Sequence, residues 1–160
     1  MGDIARLGPL IDRYIAGIEL LKRSVAGMSA DQIKSRPVPG KWSTLEVVAH
    51  LADFEVIGVD RLAAVIAESD PSLPGRDEQQ YVANLAYDQR DFDEQMNLIE
   101  ICRRHMARVL RTLDDSALSR RGIHSQAGPL TLEQLLERVI RHVEHHESFI
   151  QEKRKALGIS

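Results

Sequence analysis

Cysteine, aromatic residues and long apolar runs are all scarce in this chain, and each scarcity excludes something. The single cysteine, Cys102, forbids an internal disulfide and suits a reducing, cytoplasmic setting. Aromatic residues make up 4% of the 160 residues, so a core must be built mainly from Leu, Ile, Val and Ala. No apolar run approaches the roughly 20 residues needed to cross a bilayer. The start, Met1-Gly2-Asp3-Ile4-Ala5-Arg6, lacks the basic-then-apolar order of a signal peptide. Neither sign of charge dominates: 21 Lys and Arg face 24 Asp and Glu, for a net charge of -3. Basic residues are scattered or sit beside acids, with no stripe interleaved with aromatics, so nucleic acid is excluded as an expected partner.

What is present is helical periodicity. Ile4, Leu7, Ile11, Ile15, Ile18 and Leu21 recur at three and four residues, which predicts a helix over about 4–26 with Pro9 near its start. Ser29 offers a cap for a short turn through Ile33, before Pro37, Pro39 and Gly40 break the chain. Ser43-Thr44-Leu45-Glu46 reads as a capping box that opens a largely buried helix to about Glu68. A shorter polar helix is expected over 77–90. A third long helix is expected over 91–113, with Cys102 in its apolar stripe as a small core residue. After a loop ending at Gly128-Pro129, Thr131-Leu132-Glu133-Gln134 caps a last helix that runs to about Leu157 and ends at Gly158. The Lys153-Arg154-Lys155 cluster suits that helix's C-terminus. These patterns predict one all-α domain spanning 1–160, a four-helix bundle with short extra helices in its connections.

Six histidines stand at 50, 105, 124, 142, 145 and 146. His142 and His146, four residues apart, share one helix face beside the apolar stripe, and two imidazoles so placed can reach one metal ion. His145 lies 100° round from His146 and faces solvent. His50 sits in the buried second helix. Three inward imidazoles without polar partners would cost several kcal/mol, on the order of what a shared ion recovers, so His50, His142 and His146 are the candidate ligands. The HExxH motif and its inverted form are both missing, as is the Glu-x-x-His pair of carboxylate-bridged di-iron bundles.

Pro39-Gly40-Lys41-Trp42 before the capping box, His50-Leu51-Ala52-Asp53, Arg103-Arg104, Gly128-Pro129-Leu130-Thr131-Leu132 and the His142/His146 pair occur in one order across nearly the whole chain. In that order they resemble the DinB-like family of helical-bundle metal proteins, including its thiol-dependent S-transferases and provisionally assigned metal-dependent hydrolases. The resemblance implies a dimeric four-helix bundle with a metal triad at His50, His142 and His146. It also implies one divalent ion, a low-molecular-weight thiol and a small-molecule substrate; zinc and nickel both suit imidazole ligands, with iron and manganese as alternatives. Three neutral ligands leave a coordination position open, the layout of a catalytic site. Glu46, one turn before His50, is a candidate to orient an imidazole, though its role in the capping box competes. Asp53 is expected at the surface. Trp42, Tyr81, Asn84 and Tyr87 are candidates for the pocket wall.

Overall fold

In the computed structural model, which describes residues 5–160, six helices and a small sheet follow one another along the chain. They are α1 (Leu7–Val25), α2 (Ala30–Lys34), α3 (Thr44–Ala67), β1 (Ser72–Leu73), α4 (Glu78–Asn84), α5 (Phe92–Leu110), β2 (Arg121–His124), β3 (Gly128–Thr131) and α6 (Leu132–Ala156). The four long helices close a ring in which α1 touches α5 and α6, and α3 touches the same two. Helix α1 is therefore diagonal to α3, and α5 to α6. No helix among the described residues is long and apolar enough to cross a membrane.

The helix starts follow the local chemistry of the chain. Capping boxes at Ser29/Gln32, Ser43/Glu46 and Thr131/Gln134 are all formed, each satisfying backbone N–H groups that a first turn leaves bare. Helix α1 begins at Leu7 and carries Pro9 in its first turn, where no intrahelical N–H bond is lost; Ile4 lies outside the described residues. Gly158, at a φ of 69°, ends α6.

Two apolar clusters fill the bundle. Leu10, Leu62, Val65, Met106, Leu110 and Leu136 belong to one. Leu21, Val48, Leu51, Ile99, Val143 and Ile150 belong to the other. A buried polar group built on Arg103, Glu55 and Tyr14 links the helices. Arg103, 0% exposed, donates from Nε to Glu55 at 3.0 Å and from its two terminal nitrogens to the carbonyls of Tyr14 (2.6 Å) and Val139 (3.1 Å). Tyr14 donates its hydroxyl to Glu55 at 2.7 Å. The guanidinium fills the space beside Gly17, where a Cβ would stand 2.2 Å from Arg103 Nη1. Burial pushes the Glu55 carboxyl up from its ordinary range, while Arg103 and the Tyr14 hydroxyl pull it back.

Several boundaries differ from the periodicity. The 77–90 helix stops at Asn84, because Ala86 turns left-handed (φ 49°) and drives Tyr87 into the core. Helix α5 ends at Leu110 rather than Leu113. The connection after it holds a hairpin, not a plain loop: β2 pairs antiparallel with β3 from Arg121↔Thr131 to His124↔Gly128, and β1 adds in parallel at Ser72↔Ile123. Its turn carries none of the usual two-residue hairpin signals. Instead His124 Nδ1 accepts the backbone N–H groups of Gln126 and Ala127, both at 3.2 Å, and Gly128 takes a φ of 72°. Arg154 does not cap its own helix alone; it reaches the carbonyls of Ser24 and Ala26 at the end of α1, at 3.1 and 2.6 Å.

Candidate metal centre

The Ser43 capping box fixes the start of α3, so that His50 falls two turns in, on the face turned towards α6. The i, i+4 spacing on α6 stacks His142 and His146 opposite it. One ligand atom from each ring can be chosen so that all three lie within 4.8 Å of one another. His50 Nε2 and His142 Nε2 are 2.9 Å apart, and ring centroids lie 4.6–4.9 Å apart among the three. His50 is 0% and His146 7% exposed. Phe54 packs on the His50 ring at 4.7 Å and Trp42 at 5.3 Å, which holds its plane. His145 is exposed, its ring against Phe149 at 4.8 Å.

The donor set suits a divalent ion. Only one hydrogen bond can form between the His50 and His142 Nε2 atoms, and the Nδ1 of His146 is buried with no partner among the described residues. Buried imidazoles so short of partners are costly. Tetrahedral ligation at about 2.0–2.1 Å spaces nitrogens by about 3.3 Å, close to what His50 and His142 already have.

Burial drives all three rings towards the neutral form, the one that ligates. It takes His50 down to about 4, against a small opposing pull from Asp53. It takes His142 to about 2 and His146 to about 3, with the neighbouring histidines adding to the shift. Their folded values lie below the unfolded value near 6.5, so between the two the unfolded chain binds protons that the folded chain refuses. The stabilisation is complete above pH 6.5 and drains as pH falls towards the folded values. Metal-free protein is therefore expected to lose on the order of 1 kcal/mol per pH unit for each ring below about pH 6. Urea midpoints of chelator-treated protein between pH 7.5 and 5 read this directly; a flat midpoint would mean the rings are not buried and neutral.

Glu46 does not reach the imidazoles. Its carboxylate accepts from Ser43 N–H at 2.7 Å and from Arg36. Asp53 is not a free surface group: Arg90 grips it with two nitrogens at 2.6 and 2.9 Å, tying the 3-10 turn after α4 to α3. Tyr87 belongs to the core, and Asn84 bonds the Gln80 carbonyl on the exposed side of α4. Tyr81 touches the site indirectly, through Phe54 at 5.5 Å. Cys102 is half-buried, and burial raises its thiol pKa, which suits packing rather than nucleophilic attack.

Two hollows of about 310 and 320 Å³ adjoin the triad, and both are lined by His142 and Glu78. Trp42, Lys41, Phe149 and Lys153 line the first. Lys153 is a residue that the sequence pattern gave to the helix end; it is buried, and its Nζ donates to the Phe149 carbonyl at 3.3 Å. Arg61, Arg76, His124 and Arg138 line the second. None of these four stands out in the sequence, because they come from four separated segments.

The family model described as the DinB superfamily matches residues 14–150. A provisionally named metal-dependent hydrolase of Oceanobacillus iheyensis is 26% identical over 153 residues, covering 93% of this chain and 87% of that protein. YfiT of Bacillus subtilis, named in the same provisional way, is 27% identical over 154 residues, covering 93% and 86%. The solved structure of YfiT, described as a probable metal-dependent hydrolase with an unusual four-helix bundle topology, shares the fold. Its TM-score is 0.88 at 24% identity, over 100% of this chain and 93% of its own. A mycothiol-dependent maleylpyruvate isomerase has a TM-score of 0.70 at 16% identity, over 89% of this chain and 60% of its own.

Proposed function

This chain belongs to the DinB superfamily, and from that starting point we propose that it is a metal-dependent enzyme that transfers the sulfur of a low-molecular-weight thiol to a small electrophile. The observation that carries the reading is the convergence of His50, His142 and His146 on one point between two hollows. Zinc and nickel suit three imidazoles best, with iron and manganese as alternatives. A divalent ion there, with a position left open, supplies a Lewis acid that lowers the pKa of a thiol or a water.

The chain's own residues do the rest. Phe54 and Trp42 hold the His50 ring against rotation, so the ligand set is organised beforehand. Lys41 and Lys153 line the first hollow together with Glu78 and Glu152, and the two amines offer cations to a bound thiolate. Burial lowers the Lys153 pKa, so its charge is sensitive to what occupies the hollow. The thiol loses its S–H proton to solvent or buffer, and its sulfur bonds to the electrophilic carbon, which either releases a leaving group with its bonding pair or gives up a π bond whose far atom takes a proton from water. Hydrolysis of a small substrate is the second reading, favoured by the names of the similar sequences from Oceanobacillus iheyensis and Bacillus subtilis.

One screen separates the readings. Metal-loaded protein is assayed with bacillithiol, mycothiol or glutathione and a model electrophile, and separately with small esters and amides. The expected result is thiol consumption that chelator abolishes and added metal restores. Ester or amide turnover without thiol would select the hydrolase; metal bound with no turnover would leave a binding protein.

A further inference from the structure

We propose that the second hollow is an oxyanion subsite, in which Arg61, Arg138, Arg76 and His124 hold the carboxylate or phosphate of the small-molecule substrate beside the metal centre. The argument begins with charge. Three guanidinium groups line one cavity of about 320 Å³, and among the described residues none of them has a carboxylate partner within ion-pair distance. Three exposed arginines elsewhere do find one: Arg13 with Glu137, Arg104 with Glu100 and Arg121 with Asp70. Glu78 is the only carboxylate among the residues lining the hollow, and it also lines the first one.

Arg61 is the most telling of the three. It is half-buried on α3, its Nη2 donates to the Pro74 carbonyl at 2.7 Å, and its Nε is sealed from solvent without an acceptor. Burial, with Arg76 and Arg138 near by, disfavours its charge. A desolvated guanidinium facing two more is a poor arrangement for an empty cavity and a good one for a bound anion.

His124 supplies a neutral donor. Its Nδ1 accepts two backbone N–H groups of the hairpin turn, so the ring proton is carried on Nε2. The residue is 9% exposed and lines the same hollow. The hairpin thus has a use beyond closing the bundle: it carries a fixed N–H to the arginines. An oxyanion needs several donors at once, and this hollow offers them from α3, the loop before α4, β2 and α6.

The proposal deepens the metal-enzyme reading, because His142 lines the hollow and a small molecule anchored there extends to the triad. It predicts that the electrophile is itself an anion. Whether that anion is a carboxylate or a phosphate is settled by the probes: succinate and inorganic phosphate, titrated calorimetrically into the protein as purified and after chelator treatment. Saturable binding of at least one probe is expected in both preparations. Arg61→Gln with Arg138→Gln should weaken it more than tenfold. Arg138→Gln alone, at an exposed position that leaves the fold intact, should weaken it about threefold or more. Arg108→Gln, an exposed arginine on α5, is the control for net charge and should leave binding unchanged.

His146→Ala should also keep the anion site, so loss of metal binding and loss of anion binding report on different hypotheses. The proposal is overturned by absence of saturable binding of either probe, by equal binding in the Arg61/Arg138 variants, or by equal weakening in the Arg108 control. Binding that chelator or His146→Ala abolishes would put the anion on the metal instead and would overturn it too.

Discussion

Protein carrying His146→Ala should bind zinc or nickel more than about a hundredfold more weakly than the wild type, since loss of a group that merely orients a ligand already costs about 10–100-fold. His145→Ala, one residue away, should bind as before. The contrast isolates geometry from composition: both changes remove one imidazole from α6, but His146 is buried beside His50 and His142 while His145 is exposed. His50→Ala should match His146→Ala, although it lies on another helix. Competition with a chromophoric chelator gives the affinities. A stability measurement gives an independent check, because an ion that binds only the folded chain raises its stability by about 4 kcal/mol when free ion exceeds the dissociation constant a thousandfold. Chelator should therefore lower the thermal midpoint of the wild type and leave that of His146→Ala unmoved. Equal affinity in the His145 and His146 variants would remove the triad from any functional role.

The second large effect lies away from the site. Arg103→Met should destabilise the fold by about 3–5 kcal/mol, a large share of the roughly 5–15 kcal/mol that holds a domain together. Arg103 is fully buried and makes bonds to three helices: Glu55 on α3, Tyr14 on α1 and Val139 on α6. Its loss leaves the Glu55 carboxylate, 3% exposed, with only the Tyr14 hydroxyl. It also strips two backbone carbonyls of a donor. Removing both charges together in Arg103→Met/Glu55→Leu should cost less than Arg103→Met alone, because no unpaired charge remains in the core. Urea unfolding of the wild type, Arg103→Met, Glu55→Leu and the double variant tests this. A double variant as unstable as the sum of its parts would mean that the pair contributes packing rather than charge. The consequence for the site is indirect but real: the same guanidinium fastens α6 at Val139, one turn before His142.

Helix existence was legible in the chain because it depends on neighbours in sequence. Two capping boxes, a three-and-four apolar spacing and Gly158 mark the long helices to within a few residues. The pairing of His142 with His146 is legible for the same reason, since one helical turn sets it. The position of His50 as third partner followed from burial, not from spacing, and needed the bundle to be assumed. The hairpin escaped because its turn is held by a histidine side chain and a glycine rather than by a recognisable dipeptide. Local pattern places Asp53 at the surface, because its partner, Arg90, lies 37 positions away.

The amino-acid sequence by itself determined the helical class, the order of the elements and two of the three converging imidazoles, all through interactions spanning about one turn. Tertiary structure alone decided which helices are neighbours, how Arg103 ties three of them together, and that Arg61, His124 and Arg138 share a cavity with His142. Those outcomes depend on the distance between groups remote in the chain, and no local periodicity encodes that distance.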